Sequence, residues 1–282
     1  MKKHTYRPIA AALLALVMAL GLTACGNEGG DATTAEMTPA QVMEKSQEVM
    51  AEVKSLHYDM DMSFGMSMQE QSMNVESNMS VDYILDPMAM KMDMHMTLGE
   101  MGDQDMTTYL VTEDGAAVMY IKDQTGVWTK TPVGDMSTLD QYNATASMDL
   151  YLSSTENFTE NGTETINGKE AVRYDGVIAK DDMEEVLEAS GMLDQLEQLN
   201  LGSSTAMISE LGDLPVSVWI EKETYYPVRY DMDMTELMKK MFDQMGGAEM
   251  GLTLSDVKVS MVMSQMNEIG DITLPDEAKA AA

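Results

Sequence analysis

From Leu56 to Leu98 the chain changes face at almost every residue. Leu56, Tyr58, Met60, Met62, Phe64, Met66 and Met68 alternate with His57, Asp59, Asp61, Ser63, Gly65 and Ser67. A period of two is that of a β-strand with one face buried and the other in water. After a polar turn, Met73, Val75, Met79, Val81, Tyr83 and Leu85 share a face. Asp86-Pro87 is a second turn. Beyond it Met88, Met90, Met92, Met94, Met96 and Leu98 alternate with Ala89, Lys91, Asp93, His95 and Thr97. Three successive strands, each half apolar and half polar, specify an antiparallel meander with one solvated side. The apolar side needs cover, and the remaining sequence has to supply it.

Helices at both ends of the meander are the candidates. Pro39 suits a first helical position, and Thr38-x-x-Gln41 has capping-box spacing. Val42, Ser46, Val49, Met50 and Val53 then fall on one helical face. Shorter strands are expected at Thr107–Thr112, Ala116–Lys122 and Gly126–Lys130. A helix is expected around Leu139–Tyr151. Asn167-Gly168 is a hairpin turn joining Thr163–Ile166 to Lys169–Ala179. Asp181–Leu199 reads as a helix with acids in its first turn, and residues 200–213 as a loop or short helix. Pro215–Ile220 and Pro227–Met234 form another hairpin. Met234, Leu237, Met238, Met241, Phe242 and Met245 follow at helical spacing, ended by Gly246-Gly247. A last strand carries Val257, Val259, Met261 and Met263 on one face. The expected fold is α+β. It is a strongly curved antiparallel sheet of about nine to eleven strands, an incomplete barrel, with helices covering the apolar face.

The first residues carry a different signal. Lys2, Lys3 and Arg7 precede an apolar run from Ile9 to Leu22, and Leu22-Thr23-Ala24-Cys25 looks like the lipobox of bacterial lipoproteins. The run is shorter than the roughly 20 residues of a membrane span. Residues 1–24 therefore read as a lipoprotein signal peptide, and Cys25, the only cysteine, as the lipidated first residue of the mature chain. A thioether-linked diacylglycerol supplies two acyl chains, enough for stable anchoring. Residues 25–37 read as a flexible tether with a reach of roughly 20 Å. Residues 38–278 form the domain, and 279–282 a disordered tail. All 48 acids lie beyond the signal, against 14 of the 17 Lys and Arg, a balance of −34. That surface repels nucleic acid and keeps the protein soluble. The expected location is the outer face of the bacterial cytoplasmic membrane.

The order of elements resembles a family. After the lipobox, helix and meander come Val127-Trp128-Thr129-Lys130 and Ile166-Asn-Gly-Lys-Glu-Ala-Val-Arg-Tyr174. Then come Val218-Trp219-Ile220-Glu221-Lys222-Glu223-Thr224-Tyr225-Tyr226-Pro227-Val228-Arg229 and Ile272-Thr-Leu-Pro275. The chain is similar in these to uncharacterised Gram-positive lipoproteins with a LolA- or LppX/LprG-like domain. The resemblance spans roughly residues 38–278, and its motifs are structural. It implies a half-barrel with an apolar cavity under its helices. It also implies carriage of acylated lipids or lipoproteins, with no catalytic residues to transfer. The chain departs from the family in its methionine content and acidity.

Methionine numbers 33. Strict alternation points these side chains to the side of Leu, Val, Tyr and Phe, where flexible thioethers fill irregular gaps or line a cavity for varied acyl chains. The expected lining is Tyr58, Met60, Met62, Phe64, Met90, Met92, Met94, Met232, Met234, Met261 and Met263. A Cu(I) site is the weaker reading, because thioethers are soft ligands but alternate residues of one strand stand about 6.5 Å apart. His95 also points to the other face. The acids Asp59, Asp61, Asp93, Asp231 and Asp233 read as a solvated face that discourages aggregation. No catalytic motif is present, and only His57 and His95 remain after the signal. No catalytic residue, metal ligand or cofactor is assigned. The expected partners are the membrane through the Cys25 anchor, a lipid ligand, or an envelope protein that would make the chain an interaction or sensor module.

Overall fold

The computed structural model describes residues 37–68, 71–99, 102–134, 152–153, 155–183, 186, 212–244 and 251–281. Within it, Met37–Ala282 form one compact unit. The signal segment, Cys25 and most of the tether lie outside the described residues. So do the helix expected at 139–151, most of that expected at 181–199, and residues 200–211.

Helix α1 runs from Pro39 to Met50. Its capping box is formed: the Gln41 backbone N–H donates to Thr38 Oγ1 at 3.3 Å, and Thr38 N–H donates to Gln41 Oε1 at 2.9 Å. The meander follows as β1 (Ser55–Met68), β2 (Gln71–Leu85), β3 (Met88–Thr97), β4 (Asp103–Glu113), β5 (Ala116–Lys122) and β6 (Trp128–Gly134). The later strands are β7 (Thr155–Ile166), β8 (Lys169–Ile178), β9 (Leu214–Glu221) and β10 (Pro227–Asp233). Helix α2 (Thr235–Gln244), β11 (Leu252–Ser264) and a short helix α3 (Asp276–Lys279) complete the chain.

All eleven strands form one sheet in the order β6-β5-β4-β3-β2-β1-β11-β10-β9-β8-β7, with antiparallel pairing throughout. The sheet is open, with β6 and β7 at its edges. Strand β11 returns to sit between β1 and β10, so the first and last strands join the two halves. The β7–β8 turn uses Asn167 and Gly168 at φ of 52° and 79°, the left-handed pair that a two-residue hairpin requires.

Strand β7 begins eight residues before the segment expected from the sequence. Its burial explains the difference. Only Thr155 is buried, with Phe158 and Ile166 half-buried, and the rest of this edge strand is exposed on both faces. Without a buried face there is no period-two signal to read.

The main core lies on one side of the sheet. It contains Leu56, Val81, Tyr83, Met90, Leu110, Val218, Tyr230, Met261 and Met263 from the strands, and Val42, Met43 and Met50 from α1. Leu237 and Met241 of α2, together with Leu152, Met183 and Val186, belong to the same cluster. The opposite side is not uniformly solvated. Ala278 of α3, with Ile272, Leu274 and Ala281, packs on Tyr109, Val118, Tyr120 and Trp128 of β4–β6. Trp219, Ala171 and Val228 form a third cluster with Ile166 and Tyr226. Both tryptophans thus sit in small apolar patches on the polar side.

Candidate functional site

Cross-strand register sorts the apolar side into lines. Leu56, Tyr83, Met90, Leu110 and Met119 stand opposite one another from β1 to β5. The next line is Met263, Tyr58, Val81, Met92 and Thr108. Of the expected lining residues, Met90, Met261 and Met263 are buried in the main core, and Tyr58, Met60, Met92, Met232 and Met234 are half-buried against it. Met62, Phe64 and Met94 are half-buried outside that cluster. Met62 and Met232 also border a hollow of about 470 Å³ with Asp61, Ser217, Arg229 and Asp231, side chains of the polar side.

Three hydroxyls on the apolar side were not foreseen as site residues. Ser46 of α1 is fully buried, Tyr83 is 1 % exposed and Thr108 is 2 % exposed. None of the three hydroxyls has a hydrogen-bond partner among the described residues. A buried polar group left unpaired costs about 1–3 kcal/mol, so these positions favour a polar atom brought to them. Ser46 carried a sequence signal, as a polar residue inside the apolar stripe of α1. Thr108 carried none, because threonine is common in strands. Desolvation pushes the phenol of Tyr58 up to about 12, and it does the same to Tyr83, with the neighbouring Tyr58 phenol adding to the rise. Both are neutral hydrogen-bond donors at physiological pH.

A groove of about 540 Å³ opens beside the first helix. Thr38 at the cap of α1 and Pro39, Met43 and Gln47 within it face Leu152, Thr155 and Phe158 across the groove. It lies at the N-terminal end of the compact unit, beside Thr38.

The polar side is crossed by a line of Asp175, Ser217, Asp231, Ser260, Asp61, Asn78, His95 and Asp105. Arg229 spans Asp231 with two bonds of 2.9 and 2.6 Å, and Ser260 donates to the same carboxylate at 2.7 Å. Arg173 bonds Asp175 at 2.7 Å. The two guanidinium groups lie over the Trp219 ring at 4.6 and 5.1 Å. His57 contacts Asp82 at 2.8 Å, and His95 contacts Asp105 at 2.7 Å. That second hydrogen bond holds the His95 imidazole above its ordinary value. These groups are exposed or half-buried and paired with one another, which is the behaviour of a solvated face. Among the described residues no group of three or more His, Cys, Asp or Glu is placed to hold a metal ion. No described helix is long and apolar enough to cross a membrane.

The Trp-Ile-Glu-Lys hairpin has a structural role. Glu221 is buried and accepts from Lys169 at 3.0 Å and from the Thr224 hydroxyl at 2.9 Å. Lys222 pairs with Glu170. Thr224 Oγ1 accepts from the Tyr226 N–H at 3.3 Å, and Tyr225 takes a positive φ of 63°. The motif closes a tight turn and ties it to β8.

No curated protein matches the chain. Similar solved structures include the lipoprotein LppX of Mycobacterium tuberculosis, 16% identical, covering 83% of this chain and 97% of that one, with a TM-score of 0.43. LprF of Mycobacterium bovis is 13% identical over 84% of this chain and 96% of its own, with a TM-score of 0.47. A putative outer membrane lipoprotein-sorting protein domain from Vibrio parahaemolyticus is 10% identical over 79% and 89%, with a TM-score of 0.24. The profile of a family of unknown function, DUF6612, matches residues 38–282, and the chain belongs to that family.

Proposed function

We propose that this protein is a lipoprotein held by Cys25 on the outer face of the cytoplasmic membrane. It binds a lipid between the apolar side of the sheet and the helices that cover it, and it does no chemistry on that ligand. The observation that carries the reading is the set of hydroxyls of Ser46, Tyr83 and Thr108, buried on an otherwise apolar side without partners among the described residues. A ligand with acyl chains and a polar group satisfies both kinds of surface. Half-buried Tyr58, Met60, Met92, Met232 and Met234 supply adaptable walls. The groove between α1 and β7 gives a route of entry on the side of the tether. The lipobox supplies the address, and an anchored container on a short tether exchanges hydrophobic cargo with the bilayer beside it.

A fluorescent fatty acid is the probe. It should bind with saturable stoichiometry, and Met92→Trp or Met232→Trp, which fill the interior, should weaken binding at least tenfold. No saturable binding, or binding unchanged by both variants, contradicts the reading.

The exposed edge strand favours a second reading, an envelope module that recruits a protein. Strand β7 presents Glu156, Glu160 and Glu164 at the sheet edge, all exposed, which suits strand addition by a basic segment. Crosslinking in intact cells distinguishes the two. A stoichiometric protein partner at β7, with no bound lipid, supports the module and not the carrier.

A further inference from the structure

Five methionines from five strands stand in one line across the apolar side. Met60 of β1 pairs with Met261 of β11 on one flank and with Met79 of β2 on the other. Met79 pairs with Met94 of β3, and Met94 with Met106 of β4. Directly opposite residues share a face, and their Cβ atoms stand about 4.5–5.5 Å apart. Spacing along a single strand is about 6.5 Å between alternate residues, and that wider distance is what weakened a metal reading of the sequence. Register replaces it with a closer one.

The chemistry of the closer spacing is specific. A thioether is a neutral, soft donor with no proton to lose, and it selects soft cations such as Cu(I) over hard ones. With metal–sulfur bonds of roughly 2.3 Å, an ion bridging two sulfurs spans up to about 4.6 Å, the separation of cross-strand neighbours. Methionine has three rotatable bonds, so a third neighbour in the line can turn its sulfur to the same ion. Solvent access fits as well. Met60, Met79, Met94 and Met106 are half-buried, while Met261 is 3 % exposed. A packing role alone is served by closure from water, as at fully buried Met263. The net formal charge of −31 draws cations to the protein.

We propose that Met60, Met79 and Met94 form a binding site for one soft monovalent cation, Cu(I) or Ag(I), held by two or three thioether sulfurs. The site needs no lipid, and no oxidation or reduction is part of it.

The test compares the full-length lipidated protein, extracted from membranes in non-ionic detergent, with two triple variants. One is Met60→Leu, Met79→Leu and Met94→Leu. The other is Met88→Leu, Met119→Leu and Met238→Leu, which removes as many methionines away from the line and outside the proposed lining. Each is titrated with Cu(I) against a chromophoric chelator and with Ag(I) by native mass spectrometry. The wild-type chain and the second variant should take up one equivalent with equal affinity, and the first should lose at least tenfold. Equal affinity in all three, equal loss in both variants, or no uptake by the wild type overturns the site. Should the first variant fail to fold, 13C-labelled methionine methyls in the wild-type protein give the answer. One equivalent of Ag(I) should shift three neighbouring methyl signals, assigned by single Met→Leu changes, and unmoved signals overturn the proposal. Bound lipid appears as a separate mass increment, so failure of the metal site and failure of the lipid reading are told apart.

Discussion

Tyr58 and Tyr83 show how the apolar side acts on single groups. Burial raises both phenols to about 12, against roughly 10 in an unfolded chain. Between those values the unfolded chain releases protons that the folded one keeps, so stability falls as pH rises through that window and is fully present below it. Spectrophotometric titration compared with Tyr58→Phe and Tyr83→Phe should assign these two phenols to about 12, and their ionisation near pH 10 would contradict their burial. Gly176 makes a complementary point at the β7–β8 pair. An added Cβ there would meet Thr155 Cγ2 at 2.7 Å and the Glu156 carbonyl oxygen at 2.9 Å. Gly176→Ala should cost about 1–3 kcal/mol in urea unfolding, and an unchanged midpoint would show that β7 yields. The sequence made Tyr58 legible, since it continues an alternation. It gave no hint of Gly176, whose constraint comes from Thr155 and Glu156 of the paired strand β7 and leaves no pattern in the sequence.

Elements were legible in proportion to their asymmetry of burial. Strands β1, β2 and β3 each put one face in the core, and their alternation fixed both existence and orientation. Most of strand β7 is exposed on both faces, and only the part next to the Asn167-Gly168 turn could be read. Short α3 carries its role in Ala278, fully buried against β4–β6, and an alanine in an acidic tail announces nothing. The β9–β10 hairpin lies between these cases. Its residues were recognisable as a motif, but their purpose emerges only from contacts across the turn. Glu221 is a buried carboxylate that joins Lys169 of β8 to Thr224 of its own turn. Glu221→Ala should lose about 1–3 kcal/mol in thermal or denaturant unfolding. A change under about 0.5 kcal/mol, the range of surface substitutions, would reduce the motif to a surface feature.

At the scale of the whole molecule, the sheet is completed by its last strand. Register between β1 and β11 extends from His57–Ser264 to Met68–Leu252, so the two halves close on each other only after the chain has been made in full. Alternation predicted the strands, yet nothing in it chooses which strand lies beside which. The same limit hid the methionine line, which exists only once five strands are in register. It also hid the burial of the Tyr83 and Thr108 hydroxyls of β2 and β4, whereas Ser46 of α1 stood out as a polar residue in an apolar stripe. The proposed reading is of an acidic, anchored container, and the folded arrangement sets the hydroxyls of Ser46, Tyr83 and Thr108 on its apolar side. The central claim is that this interior receives a lipid. Native mass spectrometry of Met37–Ala282, purified from bacterial cells without its anchor, tests it most directly. The account predicts a population heavier than the polypeptide by the mass of one lipid, released on organic extraction and restored by added lipid. A single species at the polypeptide mass that takes up no added lipid would contradict it.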